Sequence, residues 1–214
     1  MTTAIGRNVK LEIALTFSTA KNVTGITQAS PGVATSSAHG LANGTVGYWT
    51  VPAGMVQLDG MATRVYNQAT NTFELQGLST SSFSAFSGTP TFTPVATWGL
   101  VSEAIGYNIG GAGADQLDDS KLSDVVKQIL FGLPGADVIT IDLLSQTYNS
   151  SVMQAIEDAA LATTYIVGRI TLHDNSVRVF RGVPSRPGES LQRSQLATGQ
   201  FQIAAKGVAL KGQA

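Results

Sequence analysis

The 214-residue chain contains no cysteine, which excludes disulfides and thiolate chemistry yet fits any redox compartment. Histidine is almost missing: only His39 and His173 occur. They are far apart, and no nitrogen- and sulfur-rich metal site can be built from them. Charged residues make up 13% of the chain and the formal net charge is −1, so no global basic field attracts nucleic acid. No apolar run approaches the length that spans a bilayer, and membrane insertion is not expected. Leu11–Ala20 follows Arg7 and Lys10 as a signal-peptide core would. It is short, broken by Glu12 and alternating, so it reads as a strand.

Reactive constellations are missing too. Gly110-Gly111-Ala112-Gly113 has neither the G-x-G-x-x-G spacing nor a following Lys-Ser/Thr, so it makes no phosphate loop. Asp115, Asp118, Asp119 and Asp124 lack the alternating order, central glycine and final glutamate of a calcium loop. No G-x-S-x-G elbow presents a nucleophile. The expectation is a non-enzyme without cofactor or metal, with His39 in a structural hydrogen-bonding role.

What is present is β structure. Val9, Leu11, Ile13, Leu15 and Phe17 alternate with Lys10, Glu12, Ala14 and Thr16, the period-two signature of a half-buried strand over 8–17. Between Asn22 and Thr97 the only charged residues are Asp59, Arg64 and Glu74. Turn pairs recur there, at Ser30-Pro31-Gly32, Asn43-Gly44, Asp59-Gly60, Thr70-Asn71 and Ser87-Gly88. Short β-prone pieces lie between them, at Val46–Val51, Thr63–Tyr66 and Thr72–Leu75. Residues 22–97 thus read as a small all-β module inserted into a discontinuous domain of residues 1–21 and 98–214.

Charge is polarised along the second part. Residues 98–158 hold nine acids against Lys121 and Lys127, whereas residues 159–214 hold five arginines and two lysines against Asp174 and Glu189. Opposite charge on two faces suits head-to-tail association. In 106–134 two readings compete. Leu122, Val125, Val126, Ile129 and Leu130 fit helical spacing behind an Asp119 or Ser120 cap; an extended arm is the favoured reading.

From Leu133 onward the elements are legible. Asp137–Leu144 forms a strand, and Ser151-Val152-Met153-Gln154 opens a helix over Ser151–Ala162 with a capping-box pattern. Val152, Ala155, Ile156 and Ala159 share its apolar face. Tyr165–His173 and Ser176–Val183 form a hairpin around Asp174-Asn175. A loop over Pro184–Ala197 leads to one long strand, Gly199–Leu210. In the hairpin's second strand, Val177 and Val179 are assigned to the core, and Arg178 and Phe180 to a subunit contact. The rival reading is a basic-aromatic face stacking single-stranded nucleic acid.

The segments LPGADVITIDLL, HDNSVRVFRGVPS and LATGQFQIAAKG, in this order around the helix, resemble the tail tube proteins of long-tailed bacteriophages. The resemblance implies a mainly β, sandwich- or barrel-type subunit with one helix and a long arm. It implies a structural virion protein that assembles with itself into stacked hexameric rings, in the host cytoplasm, as the conduit for DNA ejection. Tape measure, tail terminator and tail tip proteins are its implied partners, and phage DNA passes without specific contacts. The insert resembles the small β-barrel family named after the first catalytic-cysteine half-domain of ubiquitin-activating enzymes. Ala38-His39-Gly40-Leu41, Asn43-Gly44, Gly54-Met55, Asp59-Gly60 and Asn71-Thr72-Phe73-Glu74-Leu75 carry that likeness.

For assembly, charge polarity selects Asp115, Asp118, Asp119 and Asp124 as the acidic side of a subunit contact, and Arg178, Arg181, Arg186 and Arg193 as the basic side. The alternative is a tail-associated adhesin or carbohydrate reader. In it, Tyr48, Trp49, Phe83 and Phe86 of the insert form a sugar-stacking platform.

Overall fold

The computed structural model describes residues 9–111, 113–121, 125–144, 150–190, 196–207 and 209–212. The first eight strands are Lys10–Phe17 (β1), Lys21–Asn22 (β2), Gly25–Ile26 (β3), Val33–Thr35 (β4), Val46–Thr50 (β5), Ala62–Tyr66 (β6), Thr72–Leu75 (β7) and Thr91–Leu100 (β8). Ala104–Gly111 (β9), Ala114–Asp118 (β10), Ile129–Pro134 (β11) and Asp137–Leu144 (β12) follow, then the helix Ser151–Leu161 (α1). The chain finishes with Ile166–Thr171 (β13), Val177–Pro184 (β14), Gly188–Ser190 (β15), Thr198–Ala205 (β16) and Leu210–Gly212 (β17).

One hydrogen-bonded path runs β3-β4-β7-β6-β5-β8-β1-β13-β14-β16-β12-β9, and β10-β11 is a separate two-stranded sheet. Strand β8 joins the two halves of the path. Its first residues pair with β5 (Trp49 opposite Phe92) and its last with β1 (Ile13 opposite Gly99). Leu11 and Ile13 of β1 share one core with Ile139 and Ile141 of β12, Phe180 of β14 and Phe201 of β16. Strands far apart in the path can meet in one core only if the sheet curls. Val152, Met153, Ile156 and Ala159 of α1 belong to the same core. A second core gathers Trp49, Leu58, Phe73, Leu75 and Phe92, and takes in Leu210 from the chain's last strand. A third, smaller cluster lies between, with Val46 and Ala62 against Val167, Val177 and Val179.

Most strands fall where alternation puts them, and Asp137–Leu144 matches to the residue. Four local readings change. The period-two pattern of β1 fails after Ala14, because the register against β8 shifts between Ala14 and Thr16 and again before Phe17. The bulged end of the strand leaves the core: Leu15, Thr16 and Phe17 are all exposed while Leu11 and Ile13 are buried. The helix cap is Ser150 rather than Ser151: the Ser150 side chain accepts from the Met153 backbone N–H at 3.2 Å. The last strand is split. β16 ends at Ala205, Gly207 takes a φ of +94°, and β17 then pairs with β14. The loop after β14 contains β15, which pairs with β16.

The stretch 106–134 adopts the extended reading. Ile129 and Leu130 lie in β11, opposite Asp118 and Leu117 of β10; Leu122 lies outside the described residues.

Candidate functional site

The two-stranded arm is rooted in the curled sheet. Gly111 of β9 is opposite Asp137 of β12, and the next described pair along the same two chain segments is Ala114 opposite Pro134. Leu117 and Leu130 face each other on one side of the arm, while Phe131 shares the other side with Gln116. All three large side chains are in water: Leu117 is 57% exposed, Leu130 56% and Phe131 66%. A solitary two-stranded hairpin is marginally stable without something packed on it, and single-residue patches do not explain apolar side chains on both faces.

Asp118 ends β10. Its carboxylate accepts from Ser120 N–H at 3.0 Å and meets Lys127 at 3.4 Å across the arm. Hydrogen bonding to Ser120, with the nearby Lys127 ammonium, holds its carboxyl below the usual aspartate value. Asp119 is exposed and its backbone N–H donates to the Gln128 carbonyl at 3.1 Å. Asp115 belongs to β10. Asp124 and Arg193 lie outside the described residues.

The arginines divide by environment. Arg186 is exposed and bonds Glu157 of α1 at 2.9 Å. Arg178 sits directly opposite Lys211 in the β14–β17 register, a like-charge neighbour that disfavours the pairing. Arg181 is occupied inside the subunit. Its guanidinium lies 4.3 Å from the Tyr48 ring and 4.6 Å from the Tyr165 ring, and donates to the Gly60 carbonyl at 3.2 Å. Burial pulls its pKa below the ordinary arginine value. Among the described residues no ion pair joins the acidic set to the arginine set.

Phe180 is not at a surface. Gly168 lies opposite it, and a Cβ there would come within 2.3 Å of the phenyl ring, so the ring fills the space the glycine leaves in the main core. The basic-aromatic stacking face over β14 is thereby removed. The sugar platform fails for a related reason. Trp49 is 0% exposed and its indole N–H donates to Thr63 Oγ1 at 2.9 Å. Tyr48 is covered by Arg181 and meets Phe17 edge-on at 5.2 Å, and Phe83 and Phe86 pack on the second core.

His39 is buried: Leu41 N–H donates to its Nδ1 at 2.9 Å, and its Nε2 faces the Thr72 carbonyl at 3.3 Å. With Nδ1 accepting, Nε2 is the nitrogen left to donate to the Thr72 carbonyl, so both ring nitrogens are used within the fold. Sequence reasoning did not find the pairing of Arg169 with Glu12, at 2.7 and 3.1 Å, beneath which Trp98 lies 4.3 Å from the guanidinium. It also did not find Lys206 on Asp59 at 3.1 Å. These partners are remote in sequence and carry no local signature.

A groove of about 380 Å³ opens beside the start of β9, between Leu11, Leu100, Val101, Ile105 and Tyr107, with Lys10 at its edge. Leu100 is 50% and Ile105 63% exposed. Among the described residues no group of His, Asp and Glu is arranged to hold a metal, and no helix is long and apolar enough to cross a membrane.

A curled β sheet with a projecting apolar arm is the form of a structural subunit whose working parts are surfaces. The family comparison agrees: residues 53–206 match the model of the phage tail tube proteins, and the chain belongs to that family. It is a structural protein of the phage tail. The matched span begins inside the segment 22–97 and runs through the arm, the helix and β16. No curated protein matches the sequence.

Proposed function

We propose that the chain assembles with copies of itself into stacked hexameric rings that form the tail tube and conduct DNA during ejection, without catalysis. The observation that carries this reading is the arm, with Leu117 and Leu130 on one face and Phe131 on the other, all exposed. A neighbouring subunit would bury these side chains at roughly 25 cal/mol per Å². The free side of β9 supplies a second reason, since among the described residues β9 ends the strand path with one edge unpaired. Such an edge is a liability in a lone protein and a joining surface in a ring.

In this reading assembly takes place in the host cytoplasm, and the tape measure, tail terminator and tail tip proteins meet the finished tube. Residues 22–97 form an outward module that leaves the lumen clear. Asp118 and Asp119, with Asp115 and Asp124, approach the basic set of Arg178, Arg186 and Arg193 on another copy; Arg181 is held by its tyrosines.

Negative-stain electron microscopy of the concentrated protein tests the proposal. Rings or hollow tubes of uniform width are expected. A Leu130→Asp variant should remain folded yet form neither. Monodisperse single subunits at every concentration, alone and with tail tip components, would overturn the reading.

A further inference from the structure

We propose that the groove between Leu100 and Ile105 receives the arm of a second copy of this chain, with Phe131 as the inserted side chain. This rests on the self-assembly reading and names the surface that takes the arm.

The arm and the groove lie at opposite ends of one strand. β9 starts at Ala104 beside the groove and runs to Gly111, where the arm departs. Six residues of strand put about 20 Å between Ile105 and Gly111. A contact between unlike surfaces at opposite ends of a subunit is heterologous and repeats along a line instead of closing as a dimer.

The chemistry of the two surfaces agrees. Among the described residues the groove is lined mainly by apolar side chains, with Ser102, Tyr107 and one cation, Lys10, and by no acid. The face of the arm that carries Phe131 also carries Ile129 and the acid Asp118, all exposed. Docking would remove both sets of exposed apolar atoms from water and bring Lys10 toward the Asp118 carboxylate. A partner of opposite charge pattern would leave Lys10 facing another cation.

The lack of native cysteine makes the test direct. Ile105→Cys and Phe131→Cys, both at exposed positions, are prepared separately, assembled as a mixture and oxidised. A disulfide-linked dimer is expected from the mixture and from neither variant alone. A variant carrying both substitutions is expected to give a covalent ladder. Tubes that form without the mixed disulfide, or a disulfide closed within one chain, overturn the groove assignment and leave the tube reading standing. Absence of tubes and rings overturns the tube reading, and the groove assignment falls with it. Ile105→Asp provides a second measurement: loss of tubes with an unchanged thermal midpoint is expected, and normal tubes overturn the proposal.

Discussion

Arg181 is the side chain on which several distant parts of the chain converge. It stacks between Tyr48 of β5 and Tyr165 before β13, and it donates to Gly60. Its Nε is buried without a hydrogen-bond partner, a cost the two rings and the Gly60 carbonyl must offset. Arg181→Ala is expected to lower unfolding stability by about 2 kcal/mol, from lost cation–π contact and lost packing of the long stem; urea titration measures it. Beside it, Asp59 accepts from Val51 N–H at 2.9 Å and from Lys206. The Val51 hydrogen bond, reinforced by Lys206 and opposed by partial burial, lowers its pKa below the ordinary 3.8. A depressed folded pKa means stability that is present above the unfolded value and is lost as pH falls through the folded one. Asp59→Asn is therefore expected to cost stability at neutral pH, by about 1 kcal/mol or less because the pair is partly solvated. That difference should shrink as pH falls through and below 3.8. A gap between the two melting curves that stays constant down to acid pH would contradict this.

The helix shows what local rules decide and where they slip. Its apolar face was readable from the spacing of Val152, Ala155, Ile156 and Ala159; three of these are buried, Ala155 is half-buried, and Met153 is buried beside them. The cap was misread by one residue because two serines adjoin, and spacing to Gln154 favoured the second. Ser150→Ala is expected to cost about 1 kcal/mol and Ser151→Ala only a few tenths, as thermal melts of the pair would show. At the other end Thr163 holds a φ of +53°, a conformation that crowds a β-branched side chain. Thr163→Gly is expected to stabilise the protein by about 1 kcal/mol or slightly less, since Gly accepts this φ without strain.

Strands were legible wherever alternation met a turn pair, as in Thr72–Leu75 and in the hairpin whose Asn175 has a φ of +60°. The bulge in β1, the break at Gly207 and the inward Phe180 were not. Each depends on a partner strand contributed by a remote part of the chain: Thr97, Arg181 and Gly168 respectively. The candidate contact residues were chosen from charge along the sequence, which cannot reveal that Arg181 is already engaged or that Asp118 has Lys127 beside it.

Taken together, the strands of β8 and β1 tie the second core to the main one, with the Val46–Val179 cluster between. Unfolding is expected to be one cooperative transition, so that near-ultraviolet and far-ultraviolet signals coincide in denaturant. Two separated transitions would mean that the Trp49 core melts independently. On the proposed assembly, charge reversal of Asp118 and Asp119 to lysine should weaken tube formation at low salt. That effect should fade near 1 M salt, where the screening length is about 3 Å. Tubes indifferent to both changes would remove the charge pairing while leaving the apolar arm in place.

Lys21 and Phe92 are direct partners across β2 and β8, and Ser18 N–H donates to the Pro94 carbonyl at 2.8 Å. The segment between them therefore leaves and re-enters the sheet at points about 5 Å apart, as antiparallel partners are. That is the footprint of a simple hairpin turn. What lies between is nevertheless bolted to the far side of the subunit, by Arg181 on Tyr48 and Gly60, by Lys206 on Asp59 and by Leu210 in the second core. Cutting it out would close the sheet as neatly as a turn does, yet leave an arginine, a lysine and a leucine stripped of these supports.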